Sequence, residues 1–357
     1  VNPDFNKKTI DTLAKRASFR CSNPDCRVNT IGPNTDPNKS TKIGEAAHIY
    51  GARVGSKRYN PNMTDSQRAE ITNSIWLCRN CHKLIDTDEQ KYSPNILFKW
   101  REKHEEYIVL SLGNKTEQIW YEEQSVLIHE FDNYPPLIKR IVIDKPDGWE
   151  YRLTAELMRF MNDPIFKKLE DLKGGLYLKH PEIINSTDTL NWIKERFSEL
   201  TVMTNPAVEL MNRLTKSWGI PGEPGNTSEI HHVTKLIKNY LEHVLAFEER
   251  IHFVIVSEEY QKIIELLKNL IGSQINKLAS IPSDLDEIIS LNDSYQRNDI
   301  NPKVIEKEII FELPTNWEKD FKREINKLQF KQTFNNKNSP GCFIVLLILF
   351  IFIIYIL

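Results

Sequence analysis

Four of the five cysteines fall in two close pairs, Cys21 with Cys26 and Cys78 with Cys81, in the first quarter of a 357-residue chain. Five cysteines make no disulfide framework in a chain this long, and paired spacing points instead to metal ligation in a reducing compartment. The start, VNPDFNKKTIDTLAKRASFRC, holds no apolar run and does not read as a targeting segment. Each pair forms a short knuckle whose backbone can wrap an ion, and zinc takes four tetrahedral ligands, thiolates among the best. The expectation is one closed structural zinc site of four thiolates, which holds the fold and leaves no open position for catalysis. The competing reading is four unrelated thiols.

The second pair lies in NSIWLCRNCHKLID, residues 73–86. Cys78, Cys81, His82 and Asp86 are close enough along the chain to share one ion or to serve two. If four sulfurs complete the zinc site, His82 and Asp86 are left for another ion. Within a helix His82 points about 100° away from Cys81, and Asp86, four residues on, shares its face. A histidine and an aspartate one turn apart form a half-site for a divalent ion. A second half-site is sought upstream, in KIGEAAHIYGARVG (42–55). Its pattern predicts a strand over 42–49, with Gly51 and Gly55 turning the chain afterwards and His48 near the strand end.

At this point the chain resembles the HNH, or ββα-metal, endonucleases, in their cysteine-containing branch. In that family one histidine ends the first strand, an asparagine follows in the second, and a third residue opens a helix as a metal ligand. His48, Asn73 and His82 match these in order and spacing, and LFKWREKHE (97–105), with Trp100 and His104, resembles the helix that often follows. The resemblance covers about residues 1–112. It implies phosphodiester hydrolysis, with His48 as general base and one Mg²⁺ or similar ion at the phosphate and the leaving oxygen. It also implies His82 and Asp86 as ligands of that ion, and Asn73 holding the His48 loop and orienting the ring. Lys42, Arg53, Lys57, Arg58 and Arg68 become candidates for phosphate contacts. One departure stands out: many relatives carry a metal ligand directly before the general base, and here that position is Ala47. Glu45 lies three residues before His48, and strand alternation puts those two on opposite faces.

Charge agrees with a nucleic-acid partner for this region. Residues 1–112 carry 18 Lys and Arg against 13 Asp and Glu, and the rest of the chain 29 against 36. The middle block, residues 113–338, reads as mainly helical. Asn226 with Glu229 resembles a capping box, followed by an apolar stripe from Ile230 through Val233, Ile237, Leu241 and Val244 to Glu248. A helix capped by Ser257 is expected to run to Pro282, and one carrying Leu153, Leu157, Phe160 and Met161 to end before Pro164. His231, His232, His243 and His252 do not share a face with carboxylates at ligand spacing and are assigned no chemistry.

The last stretch, CFIVLLILFIFIIYIL (342–357), is 16 uninterrupted apolar residues after the break at Pro340 and Gly341. With Lys322, Arg323, Lys327, Lys331 and Lys337 upstream, it reads as a single-pass helical anchor over 339–357 with the bulk of the chain on the cytoplasmic face of the membrane.

The expected fold class is therefore α+β: a small zinc-stabilised ββα-metal domain, a mainly helical domain and a transmembrane helix. The expected function is a membrane-tethered, metal-dependent DNA endonuclease, with a role in defence against injected phage DNA suggested by the anchor. The helical block would serve as a sensor for a regulatory ligand or protein, a regulator or a homo-oligomerisation unit. The alternatives are an inactive zinc-stabilised nucleic-acid-binding module and a membrane-acting effector or scaffold working through the tail.

Overall fold

Cys78 ends a fully buried strand and caps the helix that follows it, so one residue ties the second cysteine pair to the centre of the first unit. The computed structural model describes residues 2–112, 119, 122, 126, 128–220, 223–294, 303–311, 314–332 and 348–356. They divide into two units, Val1–Leu153 with Asp286–Gln296, and Thr154–Leu285 with Arg297–Leu357.

The first unit begins with helix α1, Lys7–Arg16, whose N-terminus is capped by Asn6 accepting from the Thr9 amide at 2.8 Å. Short strands β1 (Ile31–Pro33) and β2 (Ser40–Lys42) pair antiparallel. Then β3 (Gly44–His48) pairs antiparallel with β4 (Ser74–Cys78), in a register that sets Gly44 opposite Cys78 and His48 opposite Ser74. Gly44 is needed because any Cβ there would collide with the Trp76 ring. A five-residue helix α2, Asp65–Ala69, carries a full capping box between Thr64 and Gln67. Helix α3, Arg79–Thr87, follows β4 directly, and α4, Pro94–Ser111, starts with proline at its first position and buries Leu97, Phe98, Arg101 and His104.

Alternation along β3 separates two small cores. Ala47 and Ile49 face Ile75, Leu77, Ile85, Leu97, Phe98 and three of the cysteines, whereas Ala46 packs with Leu13, Ala14, Ala17 and Trp76 on the α1 side. The unit continues past residue 112, because a helix over Pro136–Asp144 packs against α4 and joins an ionic cluster with it.

In the second unit Asn226 does cap the helix Thr227–His252, accepting from the Glu229 amide at 3.0 Å. The Glu229 carboxylate, however, turns to Arg213. The expected helix from Ser257 to Pro282 is broken into pieces. Asn269 takes a left-handed φ of 58°, and Pro282 sits in the first turn of Ile281–Ser294, where its missing N–H costs nothing. Pro164 does not end its helix either, since Trp149–Lys173 runs through it. The buried row on that helix is Leu157, Met161, Ile165, Leu169 and Leu172, while Phe160 is exposed. Burial on both sides of the proline outweighs the one backbone bond it removes.

Glu248, at the end of the Ile230 stripe, is buried and accepts from the backbone amides of Asn269 at 2.8 Å and Gly272 at 2.7 Å, holding the left-handed turn in place. Burial pushes its carboxyl up to about 7, against the pull of those amides. A carboxyl with a raised folded-state value favours the fold while protonated, and that contribution is lost as pH rises from its ordinary 4.5 through 7. Thermal melts of Glu248→Gln should lack this slope. The wild type should lose roughly 3 kcal/mol between pH 4.5 and 8 relative to the variant, and parallel pH profiles would show that Glu248 is not buried uncharged.

The fold-class expectation needs correction. The chain is mainly helical, with four two-stranded sheets among the described residues, and no described helix is long and apolar enough to cross a membrane. Ile348–Ile356 is a nine-residue strand, antiparallel to Lys303–Phe311. Isoleucines and aromatic residues dominate that stretch and favour extended backbone, and an unbroken apolar run has no period to tell strand from helix. The expected single-pass helical anchor and its cytoplasmic-face placement fall with this. Cys342, Pro340, Gly341 and Lys337 lie outside the described residues.

Candidate metal centre and histidine site

The knuckle at 21–26 is a turn closed by the Cys26 and Arg27 amides donating to the Asn23 carbonyl, and the Asn23 amide side chain reaches the Cys81 sulfur at 3.3 Å. The opposing knuckle is the start of α3, where the Cys78 sulfur accepts from the Cys81 amide at 3.5 Å. The two bring all four sulfurs within 4.8 Å of one another, with Cys26 and Cys78 3.9 Å apart. Four sulfurs held about 2.3 Å from a central zinc lie about 3.8 Å apart, so the cluster has the size and donors for such an ion. Burial pushes the Cys21 thiol up, and raises Cys81 to about 11. At Cys78 burial is outweighed by the helix-start amide and the neighbouring sulfurs, and the thiol falls below its ordinary value. The cluster can bind a metal ion and is compatible with a structural zinc.

On the outer side of α3 the helix does bring His82 and Asp86 together, with His82 Nε2 3.7 Å from Asp86 Oδ2. A third group joins them. His82 Nδ1 donates to Glu45 Oε2 at 2.8 Å, and Arg79 holds the other Glu45 oxygen at 3.0 Å. The bond from His82 holds the Glu45 carboxyl below its ordinary range. A carboxylate on one ring nitrogen fixes the ring and turns the other nitrogen outward, the arrangement typical of metal-binding histidines. Sequence reasoning passed over Glu45 because it compared position 45 with 48. The informative comparison is with 47: both face α3, so Glu45 serves the face on which Ala47 offers no ligand.

Asp86 is also tied from the other side. Arg58, in the left-handed region at φ 57°, has its side chain buried and donates to the Ile49 carbonyl, the Ile85 carbonyl and Asp86 Oδ1 at 2.8 Å. Arg58 therefore leaves the set of phosphate-contact candidates, and so does Arg68, buried against Asp65, Tyr59 and the Asn60 carbonyl. A charge in the sequence does not show whether its partner is water or protein. Lys42, Arg53 and Lys57 stay at the surface, Lys42 over the Trp76 ring, Arg53 paired with Asp4 and Lys57 near Glu89.

Compared with known proteins, the chain matches no family model, no curated protein and no solved structure. The geometry stands on its own.

Asn73 is fully buried and locks the chain after His48. Its Oδ1 accepts from the Tyr50 amide at 2.8 Å, and its Nδ2 donates to the carbonyls of Tyr50 at 2.9 Å and Arg68 at 3.0 Å. The His48 ring, by contrast, is held by residues ahead of α1, with Nε2 3.1 Å from the Pro3 carbonyl and a face against Phe5. Burial pushes its imidazole below the ordinary value, while Pro3 and Asp4 pull the other way and a charge on His82 adds to the lowering. His104 of α4 is buried, bonded to the Ala17 carbonyl at 3.0 Å, and Trp100 packs edge-on against Tyr92. In the second unit His243 bonds to the Asn239 carbonyl and His252 to Asn269, and among the described residues the four cysteines are the group of three or more ligand side chains whose ligand atoms all come within 4.8 Å of one another.

Proposed function

We propose that the first unit is a metal-dependent endonuclease of the HNH type, cutting DNA by phosphodiester hydrolysis, with zinc on the four cysteines. One observation carries this reading. A strand–strand–helix unit holds a histidine at the first strand's end, an asparagine fastening the loop beyond it, and a carboxylate-oriented histidine on the helix.

His48 acts as general base, taking a proton from the attacking water. Its lowered value leaves the ring uncharged and able to accept that proton at neutral pH. His82 and Asp86 hold a divalent ion, and Glu45 keeps the His82 ring turned toward it. When bound, that ion supplies charge neutralisation at a phosphate oxygen and at the leaving oxygen. Two protein donors suit Mg²⁺, which binds through few side chains and keeps water and phosphate as its remaining ligands. Lys42, Arg53 and Lys57, with Arg79, are the surface cations available to the DNA backbone.

A second reading, a zinc-stabilised DNA-binding module without catalysis, draws support from the Arg58 clasp on Asp86 and from Ala47, which offers no ligand. Plasmid cleavage by the full chain with Mg²⁺ or Mn²⁺ separates the two. His48→Ala should cut about 10²- to 10⁴-fold more slowly than wild type while binding DNA equally. The wild-type rate should hold as pH falls and drop only below the ordinary histidine value of about 6.5. DNA binding without cleavage by either protein would favour the binding module.

A further inference from the structure

His48 has one hydrogen-bond partner among the described residues, the Pro3 carbonyl at 3.1 Å from Nε2. A carbonyl oxygen only accepts, so the nitrogen facing it carries the hydrogen. In the neutral ring the lone pair then belongs to Nδ1. The ring plane is set as well, because Phe5 lies against it with centroids 3.8 Å apart and an interplanar angle of 11°. A 180° flip of the ring would leave it in the same plane against Phe5 but would put a carbon where Nε2 stands and break the Pro3 bond.

The segment that does this is itself anchored at both ends. Asp4, between Pro3 and Phe5, pairs with Arg53 at 2.6 Å, five residues beyond His48. Asn6 then caps α1, whose Leu13 and Ala14 pack on Trp76 of β4. A stretch of chain distant in sequence is thus fixed to the loop that follows His48 and to β4, the strand that follows Asn73.

We propose that Pro3–Phe5 is the positioning device of His48. The Pro3 carbonyl selects the tautomer and the flip state that leave Nδ1 as the proton acceptor, and Phe5 fixes the plane in which Nδ1 points. Asn73 holds the loop, and these residues hold the ring. The inference rests on His48 being the general base, and the same contacts would read differently if the segment were a cover: its loss would then speed the reaction.

The test uses the full chain with ¹⁵N-labelled histidine, His48 signals being assigned by their loss in His48→Ala. The wild type should show the Nε2–H tautomer at His48. Phe5→Ala, checked for folding by circular dichroism and zinc content, should show mixed tautomers. Its kcat on plasmid DNA should be at least tenfold lower, with KM little changed, which is the loss usual for a residue that orients another. Its acid limb should move up toward the ordinary histidine value, and Phe5→Tyr should restore both rate and limb. If Phe5→Ala fails to fold, Phe5→Leu takes its place, with a smaller loss expected. An Nδ1–H tautomer in the wild type overturns the proposal by itself. Unchanged or faster cutting by Phe5→Ala, with His48→Ala dead, overturns it and leaves the endonuclease standing. Absence of cutting by the wild type removes both.

Discussion

Stripping the ion from the four-cysteine site, or replacing Cys81 with serine, is expected to unfold the first unit rather than to loosen a corner of it. Cys21, Cys78 and Cys81 are not at a rim: they share one core with Ile49, Ile75, Leu77, Ile85, Leu97 and Phe98. The site joins the turn at residues 21–26 to the junction of β4 and α3, and the same junction carries His82 four residues after Cys78. Structural zinc contributes about 10–16 kcal/mol in small zinc domains, whereas whole domains are stable by about 5–15 kcal/mol. Loss of the ion therefore exceeds the margin. It also leaves buried thiols whose sulfurs lie about a tetrahedral edge apart with nothing to bridge them. Because burial raises Cys21 and Cys81, to about 11 for Cys81, loading must release protons, and affinity should weaken as pH falls. Elemental analysis should find one zinc per chain. A chelator strong enough to remove it should collapse the near-ultraviolet dichroism of the first unit. Purified protein free of metal yet cooperatively folded, or a Cys81→Ser variant that melts with the wild type, would show that the cluster is four thiols and no more.

How much of this could be read before the fold was known depends on whether the signal was local. Cysteine spacing is local, and so is the helical repeat that aligns His82 with Asp86. Both carry straight into the structure. Asn73 was legible as the residue holding the His48 loop, and its bonds to Tyr50 are of that kind. Its expected hold on the ring was not, because the ring is fixed by Pro3 and Phe5, more than 40 residues away along the chain. Arg58 and Arg68 looked like surface cations for the same reason. Whether a guanidinium meets solvent or a carbonyl is decided by tertiary packing, which one-dimensional charge does not encode. The tail failed differently. Sixteen apolar residues satisfy a membrane helix and a paired strand equally, and only the partner strand at Lys303–Phe311 distinguishes them.

The same distinction governs the most consequential charge in the first unit. Arg101 sits on α4 with 2% of its side chain exposed, and no periodicity marks it as core. Its guanidinium donates to Glu105 and Asp144, and also to the carbonyls of Ile71 and Ser74, which bracket Asn73. Arg140 and Arg16 complete the cluster around the two carboxylates. Burial pushes the Glu105 carboxyl up, yet the three arginines override it and hold the group well below its ordinary value. The cluster is thus balanced only while all its members are present. Arg101→Ala leaves Glu105 and Asp144 short of a partner in a buried setting and frees two backbone carbonyls, for an expected loss of about 3–5 kcal/mol. An exposed control, Lys39→Ala, should stay within about 0.5 kcal/mol. With zinc bound, its denaturant-induced release would report on the first unit alone, since the four-cysteine cluster lies wholly within it. On the proposed endonuclease reading, Arg101 also braces the turn that presents Asn73, so the variant should cut plasmid more slowly even under conditions where it remains folded. A midpoint shift equal to that of Lys39→Ala would mean that the remaining arginines neutralise both carboxylates unaided, and that the Asn73 turn is held by its own bonds to Tyr50.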